Sequence, residues 1–467
     1  MRAIFYEIFY RFLVTAFRSG KVKMFNACRI NSAWLFFCPV LLAFVFALSS
    51  CNSITTSKTE TGKDSSHMLK LPVLPPVPKE QAGWIYMVSE KWYDQFLKQR
   101  GFNGGIIVAK NGHIVFEQYN GTVHIPGRDT ISENTPLHIA SISKTFTAMA
   151  VLKLWQDGKL NIDDELNKYF PQFNYPGVTI RCLLNHRSGL PNYTYFMENL
   201  DWDQKRFVTN EDILDFLINR KSELTDITTP CRHFTYCNTN YALLALLIEK
   251  VSLKKYADYL KETFFIPLHM DHSFVFSLAD TASAAPSYDW RGRLQPFNFL
   301  DGVYGDKNIY TTVRDLLTWD RALSSNLLFL KGTLDQAYAP YSNERPGVRN
   351  YGLGWRMNIY PNGKKMIYHN GWWHGSNASF IRLLNDTATI ILIGNKFNRN
   401  IYHAKMLTSI FDSNYSPGND DEESELFKDL NPLVSSKPDT VNSYHPPTAK
   451  KSTGKKPVKK RSRSNKK

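Results

Sequence analysis

Phe146, Met149, Val151, Leu152, Leu154 and Trp155 lie nearly all the way round one helix, which runs to a stop at Gly158. A helix apolar on every side cannot sit on a surface, so the rest of the chain must enclose it. It is entered through Ser141-Ile142-Ser143-Lys144. Residues three apart share a helix face, so this spacing lets hydroxyl and amine meet. A serine hydroxyl is a weak nucleophile until a neighbouring base takes its proton, and a lysine amine can serve. In a first helical turn it also has unpaired backbone N–H groups nearby, suited to an oxyanion. The spacing alone decides nothing, since it recurs at Ser252 with Lys255, Ser452 with Lys455 and Ser464 with Lys467.

The order of segments around this helix supplies the discrimination. Residues 81–100 carry Trp84, Ile85, Val88, Trp92, Phe96 and Leu97 at helical spacing and stop at Gly101. Residues 105–110 and 113–117 flank Asn111-Gly112, a strong hairpin signal. Residues 160–340 read as mostly helical, most clearly at 212–219, 239–251, 256–265 and 312–324. Strands follow at 354–360, 365–369, 376–384 and 387–395, with turns at Pro361-Asn362-Gly363 and Asn385-Asp386, then a last helix near 400–411. Strands at both ends with helices between predict an α/β chain of the α+β type. Its antiparallel sheet is flanked by N- and C-terminal helices and interrupted by a large helical insertion.

The net charge of +15 suggests nucleic acid until it is located. Residues 1–50 hold six Lys/Arg and one acid, and 450–467 hold ten and none, leaving the body balanced at 41 of each. A nucleic-acid-binding body is therefore excluded. Arg29 precedes an apolar run over 33–48, shorter than a membrane span and broken by Pro39, which ends in Leu48-Ser49-Ser50-Cys51. That ending resembles a bacterial lipobox. Residues 1–50 are then an export signal, Met24 being an alternative start, and Cys51 carries the acyl chains that anchor the protein to a membrane. Residues 51–80, polar and then proline-rich, read as a flexible lipid-anchored linker. Residues 414–467 read as a disordered basic tail. Solvation and contact with anionic envelope phosphates are its competing roles.

Cys28 and Cys38 leave with the signal and Cys51 is assigned, so Cys182, Cys231 and Cys237 remain. An odd count argues against a disulfide framework, although one bridge is compatible with it. No Cys/His cluster has zinc-ligand spacing, and nothing calls for a metal or an organic cofactor.

Two further stretches carry chemistry. In Tyr236-Cys237-Asn238 an extended backbone would project Tyr236 and Asn238 to one side. A tyrosine beside a lysine can shuttle a proton, and an asparagine offers a donor and an acceptor to a substrate amide. In His369-Asn370-Gly371-Trp372, at the end of a predicted strand, Gly371 would admit a substrate close to the backbone and the Trp372 N–H would serve as an oxyanion donor. His369 would face the cleft as a hydrogen-bonder or as a weak cation. A satisfied histidine in a tight turn is the plainer reading, above all for His374.

Taken in order, Ser-x-x-Lys, Tyr-x-Asn and His-x-Gly resemble the penicillin-recognising serine hydrolases, closest to the class C β-lactamase and D-alanyl-D-alanine carboxypeptidase-like branch. Leu183-Leu184-Asn185-His186-Arg187-Ser188-Gly189-Leu190-Pro191 and the segment 305–316 are similar to family stretches as well, so the likeness spans roughly 81–413. The resemblance implies a β-lactamase/transpeptidase-like fold. It also implies an acyl-enzyme mechanism with Ser141 as nucleophile, Lys144 and Tyr236 in proton transfer, the N–H groups of Ser141 and Trp372 as oxyanion hole, and Asn238 and His369 orienting the substrate. His369 stands where true β-lactamases usually have lysine, which leaves peptidase, β-lactamase and esterase open. Cys237 replaces a serine and reads as a small filler. The expected substrate is a small molecule or a peptidoglycan fragment, at a periplasm-facing or surface site of a bacterial envelope. The competing reading is a non-catalytic penicillin-binding or muropeptide-sensing lipoprotein of the same fold.

Overall fold

Asn111 and Gly112 both adopt positive φ, 50° and 68°, as a tight hairpin requires. They join β1 (Gly104–Lys110) to β2 (His113–Asn120). The remaining strands come from the far end of the chain: β3 (Arg349–Tyr351), β4 (Arg356–Ile359), β5 (Lys365–Trp373), β6 (Ser376–Leu383) and β7 (Ala388–Gly394). They form one antiparallel sheet in the order β2-β1-β7-β6-β5-β4-β3. This computed structural model describes residues 68–344 and 347–415, all within the unit Ser66–Lys467. The export signal, Cys51 and the tail from 416 onward lie outside the described residues.

Alternation along the strands divides the core in two. Ile106, Val108, Ile381, Ile390 and Leu392 face α1 (Lys79–Phe96), whose Trp84, Val88, Trp92 and Phe96 are buried. The same face is covered by 399–410, expected as a helix and found as a tight 3₁₀ winding. Ile107, Ala109, Phe380, Ile391 and Ile393 face the larger core built from the insertion. At its centre runs α2 (Ser143–Gln156), buried continuously from Ser143 to Leu152, with Phe146 stacked on Trp319 at 4.5 Å. The all-round apolar pattern is explained by this enclosure. Beyond its C-cap, Gly158 takes φ +69°, the left-handed conformation that ends helices.

The arginine buried on β6 is paired. Arg382 on β6 is 1 % exposed, and its guanidinium is held by Asp320, Tyr338 and Ser324, while Thr389 donates to Asp320 at 2.6 Å. Residues 69–78, read as tether, lie along the body. Leu69 N–H donates to the Pro267 carbonyl at 2.8 Å, and His113 Nε2 meets the Leu74 carbonyl at 3.1 Å. Among the described residues no helix is long and apolar enough to cross a membrane.

Candidate active site

The short strand Leu137–His138 pairs with Ile309–Thr311, and the Ile139 N–H donates to the Ile309 carbonyl at 3.0 Å. These bonds fix the point at which α2 begins. Ala140 then takes φ +46°, a left-handed conformation unfavourable for a residue with a Cβ. The strained turn 140–142 leads directly into the helix and leaves Ser141 partly exposed on the wall of a cleft of about 1330 Å³. Lys144, one turn on, is 0 % exposed. Its Nζ donates to Ser141 Oγ at 3.0 Å and to the Asp306 carbonyl at 2.8 Å. The amine is thus aimed by two contacts.

Asp306 is itself held in place. Its carboxylate accepts from Tyr193 Oη at 2.9 Å and lies 3.4 Å from Lys307 Nζ, which also bonds Tyr193. Lys307 is buried, and desolvation lowers its pKa against the opposing pull of Asp306. This buried group was missed at the level of sequence. Its signal was Asp306-Lys307 inside a segment otherwise valued only for its family likeness.

Tyr236 and Asn238 flank Cys237, whose φ of −140° and ψ of 120° are extended. Both neighbours therefore line the cleft with Ser141. Lys144 Nζ lies 5.1 Å from the centre of the Tyr236 ring. Cys237 points away, its thiol donating to the Leu190 carbonyl at 3.4 Å, and burial pushes its pKa up. It is a packed thiol. The bed for this segment is 186–191. His186 Nδ1 accepts from Cys237 N–H at 3.1 Å, its ring lies 4.3 Å from that of Tyr236, and Thr239 Oγ1 donates to the Pro191 carbonyl at 2.7 Å. A disulfide, Cys182–Cys231, with Cα atoms 5.4 Å apart, ties the two stretches together just upstream of Tyr236.

β5 pairs with β4 only as far as Tyr368, so the stretch 369–373 runs beside the Ser141 turn without a strand partner on that side. Two of its carbonyls are engaged within the protein, that of Asn370 by His369 and that of Gly371 by Tyr402 Oη at 2.9 Å, and residues 370–373 line the cleft. Gly371 is required there, because a Cβ would stand 2.1 Å from the Ile139 carbonyl oxygen. The close approach it permits is to the protein's own backbone. Trp372 is 62 % exposed, its indole N–H donating to the His374 carbonyl at 3.0 Å. His369 is found behind the cleft wall, fully buried. Its Nδ1 lies 2.7 Å from the Asn370 carbonyl and must carry the proton, while Nε2 accepts from Tyr351 Oη at 3.2 Å. Burial, with Arg356 and Lys144 nearby, holds its pKa well below the ordinary imidazole value. The histidine is neutral, which leaves the cleft's cation to another residue. Arg356 of β4 lines the cleft, its guanidinium 5.0 Å from the Tyr236 ring centre. Among the described residues no carboxylate pairs with it, and the groups acting on its charge are Tyr236, Tyr368 and Tyr351. An arginine between Trp355 and Met357 in a short strand was the unread clue.

His138 and His186 are also buried, with pKa values lowered chiefly by desolvation, to about 3 for His138 and well below normal for His186. Their folded values lie beneath the unfolded one, so below about pH 6.5 the unfolded chain binds more protons and stability rises with pH through that window. Stability is complete above it and lost as pH falls. At pH 5 the loss amounts to roughly 2 kcal/mol for His138, and His186 and His369 add losses of the same sign. Denaturation midpoints at pH 7.5 and 5 should differ accordingly; equal midpoints would refute the neutral assignment.

Residues 90–414 match the family described as Beta-lactamase. Penicillin-binding protein 4* of Bacillus subtilis (strain 168) is 31% identical over 323 residues, covering 66% of this chain and 71% of its own. Protein flp of Staphylococcus aureus (strain N315) is 28% identical over 312 residues, 61% of this chain and 58% of its own, so the chain spans little more than half of that relative. The penicillin binding protein from Bacillus halodurans, a solved structure 22% identical to this chain, superposes with a TM-score of 0.59 over 68% of this chain and 97% of that one, a likeness of fold.

Proposed function

The chain belongs to the Beta-lactamase family of serine hydrolases, and on that premise we propose that it hydrolyses an amide, β-lactam or ester through an acyl-enzyme on Ser141. The observation that carries this reading is the Lys144 Nζ at 3.0 Å from Ser141 Oγ, in a cleft that Tyr236 and Asn238 also line. Ser141 Oγ bonds the acyl carbon while its proton passes to Lys144 and Tyr236, and the carbonyl electrons gather on the oxygen facing the N–H groups of Ser141 and Trp372. The bond to the leaving group breaks as Tyr236 supplies the proton. Water then releases the acid by the reverse sequence. Asn238 orients the acyl group.

Substrate charge follows from Arg356. An unpaired guanidinium partly withdrawn from water is stabilised by a carboxylate that forks across it, and this supports an anionic substrate, a small molecule or a peptidoglycan fragment. The disulfide belongs to an oxidising compartment, which agrees with export through the 1–50 signal and anchoring at Cys51 in a bacterial envelope. The basic tail would then meet anionic envelope groups.

The test is turnover of a panel of esters, amides and β-lactams, each with and without a free carboxylate, against Ser141→Ala as blank. Wild-type turnover that vanishes in the blank is expected. Arg356→Gln should lower kcat/KM about 100-fold for carboxylate-bearing members and little for neutral ones. Equal losses for both would remove Arg356 from recognition. Stable labelling by a β-lactam without turnover of anything would favour a sensing lipoprotein.

A further inference from the structure

Beside the cleft, sharing Gln295, Trp373 and His374 with it, lies a second cavity of about 270 Å³. Its apolar lining is Phe276, Pro286, Leu294, Pro296, Phe297 and Tyr310. Most of the polar groups in its walls are already engaged, the Ser376 hydroxyl and the Gln295 amide oxygen being among the exceptions. Asp301 accepts from Trp373 Nε1 at 2.6 Å and lies 3.0 Å from His374 Nε2, which holds its carboxyl below the usual range against the effect of burial. His138 Nε2 accepts from the Asn308 N–H at 3.2 Å, Asn308 Nδ2 donates to the Asp301 carbonyl at 2.7 Å, and Ser287 Oγ accepts from the Gly375 N–H at 3.2 Å. What the cavity chiefly offers a ligand is therefore apolar surface. Phe276 is stacked on Phe297 at 5.0 Å and lies 5.7 Å from Tyr310, so aromatic rings supply much of that surface. An apolar cavity of about 150 Å³ holds a benzene ring, so this one has room for a phenyl or an indole.

We propose that this cavity is a side pocket of the catalytic cleft, built for an uncharged aromatic substituent of the substrate. Trp373 forms the wall between the two spaces. It ends β5, the strand whose open edge runs beside Ser141, so a group seated in the pocket is carried by a substrate lying along that edge. The proposal rests on the acyl-transfer reading of the cleft for its kinetic consequence, and on the cavity alone for binding.

Both levels are tested together. Indole is titrated into the intact protein and followed by ligand-observed NMR. Hydrolysis is compared for phenylacetyl against acetyl esters of one alcohol, and for benzyl against methyl esters of one acid. Leu294→Trp and Thr281→Phe narrow the pocket from exposed rim positions on which the core does not depend. Indole should bind the wild type and lose at least tenfold in affinity in both variants. In at least one ester pair the aromatic member should be preferred, and each variant should cut that preference tenfold or more while the methyl member stays within twofold. Absence of indole binding, binding unchanged in both variants, or aromatic and methyl esters falling together would overturn the proposal. If Ser141→Ala keeps full turnover, the acyl-enzyme reading fails instead, and the indole titration alone decides the pocket.

Discussion

Lys144→Met should lower kcat/KM by about 10⁴-fold while leaving the fold intact. The substitution keeps a four-atom apolar stem in a fully buried site, sulfur replacing one methylene, and removes the amine. That amine holds Ser141 Oγ at 3.0 Å and is steered by the Asp306 carbonyl at 2.8 Å, and it is the hydrogen-bond partner of that hydroxyl among the described residues. Losing a positioned base and the alignment of the nucleophile together accounts for a loss of about that size. Steady-state kinetics on the best ester of the panel, with circular dichroism as a check on folding, measures it. A loss under tenfold would hand the proton to Tyr236 alone.

The largest effect on stability is expected far from the cleft. Asp320→Ala should destabilise the protein by about 3–5 kcal/mol, because it leaves the buried Arg382 guanidinium without its countercharge. Tyr338 and Ser324 would still accept hydrogen bonds from it, but neither carries the negative charge. Replacing both members, as Asp320→Leu with Arg382→Met, should recover most of the loss, since the pair offsets little more than its own desolvation. Denaturant midpoints for wild type, single and double variant separate these cases. A single variant as stable as wild type would mean that the arginine escapes to water.

Local signals were enough for much of the architecture. The Asn111-Gly112 turn, the all-round apolar helix and the alternation of Ile106, Ile107, Val108 and Ala109 each follow from short-range chemistry, and the sheet is closed by strands read at 376–384 and 387–395. β5 was expected to stop near His369, because the polar run from His369 to Gly371 looks like a turn. It continues to Trp373 because β6 pairs with it throughout, a long-range fact. His369 illustrates the same limit. Its ring is neutral and buried because Tyr351 and Arg356 come from separate strands to meet it, and no local pattern encodes that meeting. The bridge Cys182–Cys231 spans 49 residues, and a count of three cysteines could not select the pair. Residues 69–78 have the composition of a tether, yet their backbone groups find partners on the body surface. Ser141, Lys144, Tyr236 and Asn238 were legible because each lies in a short motif whose spacing is itself the geometry.

One measurement bears most directly on the claim that this cleft carries out acyl transfer through Ser141. The purified protein is mixed with a slowly turned-over β-lactam or activated ester, quenched in acid, and analysed by intact-mass and peptide mass spectrometry. The account predicts a single added acyl group on the peptide containing Ser141, formed and lost at rates consistent with turnover, and absent from Ser141→Ala. An adduct on another residue, or turnover by the wild type with Ser141 never modified, would contradict it.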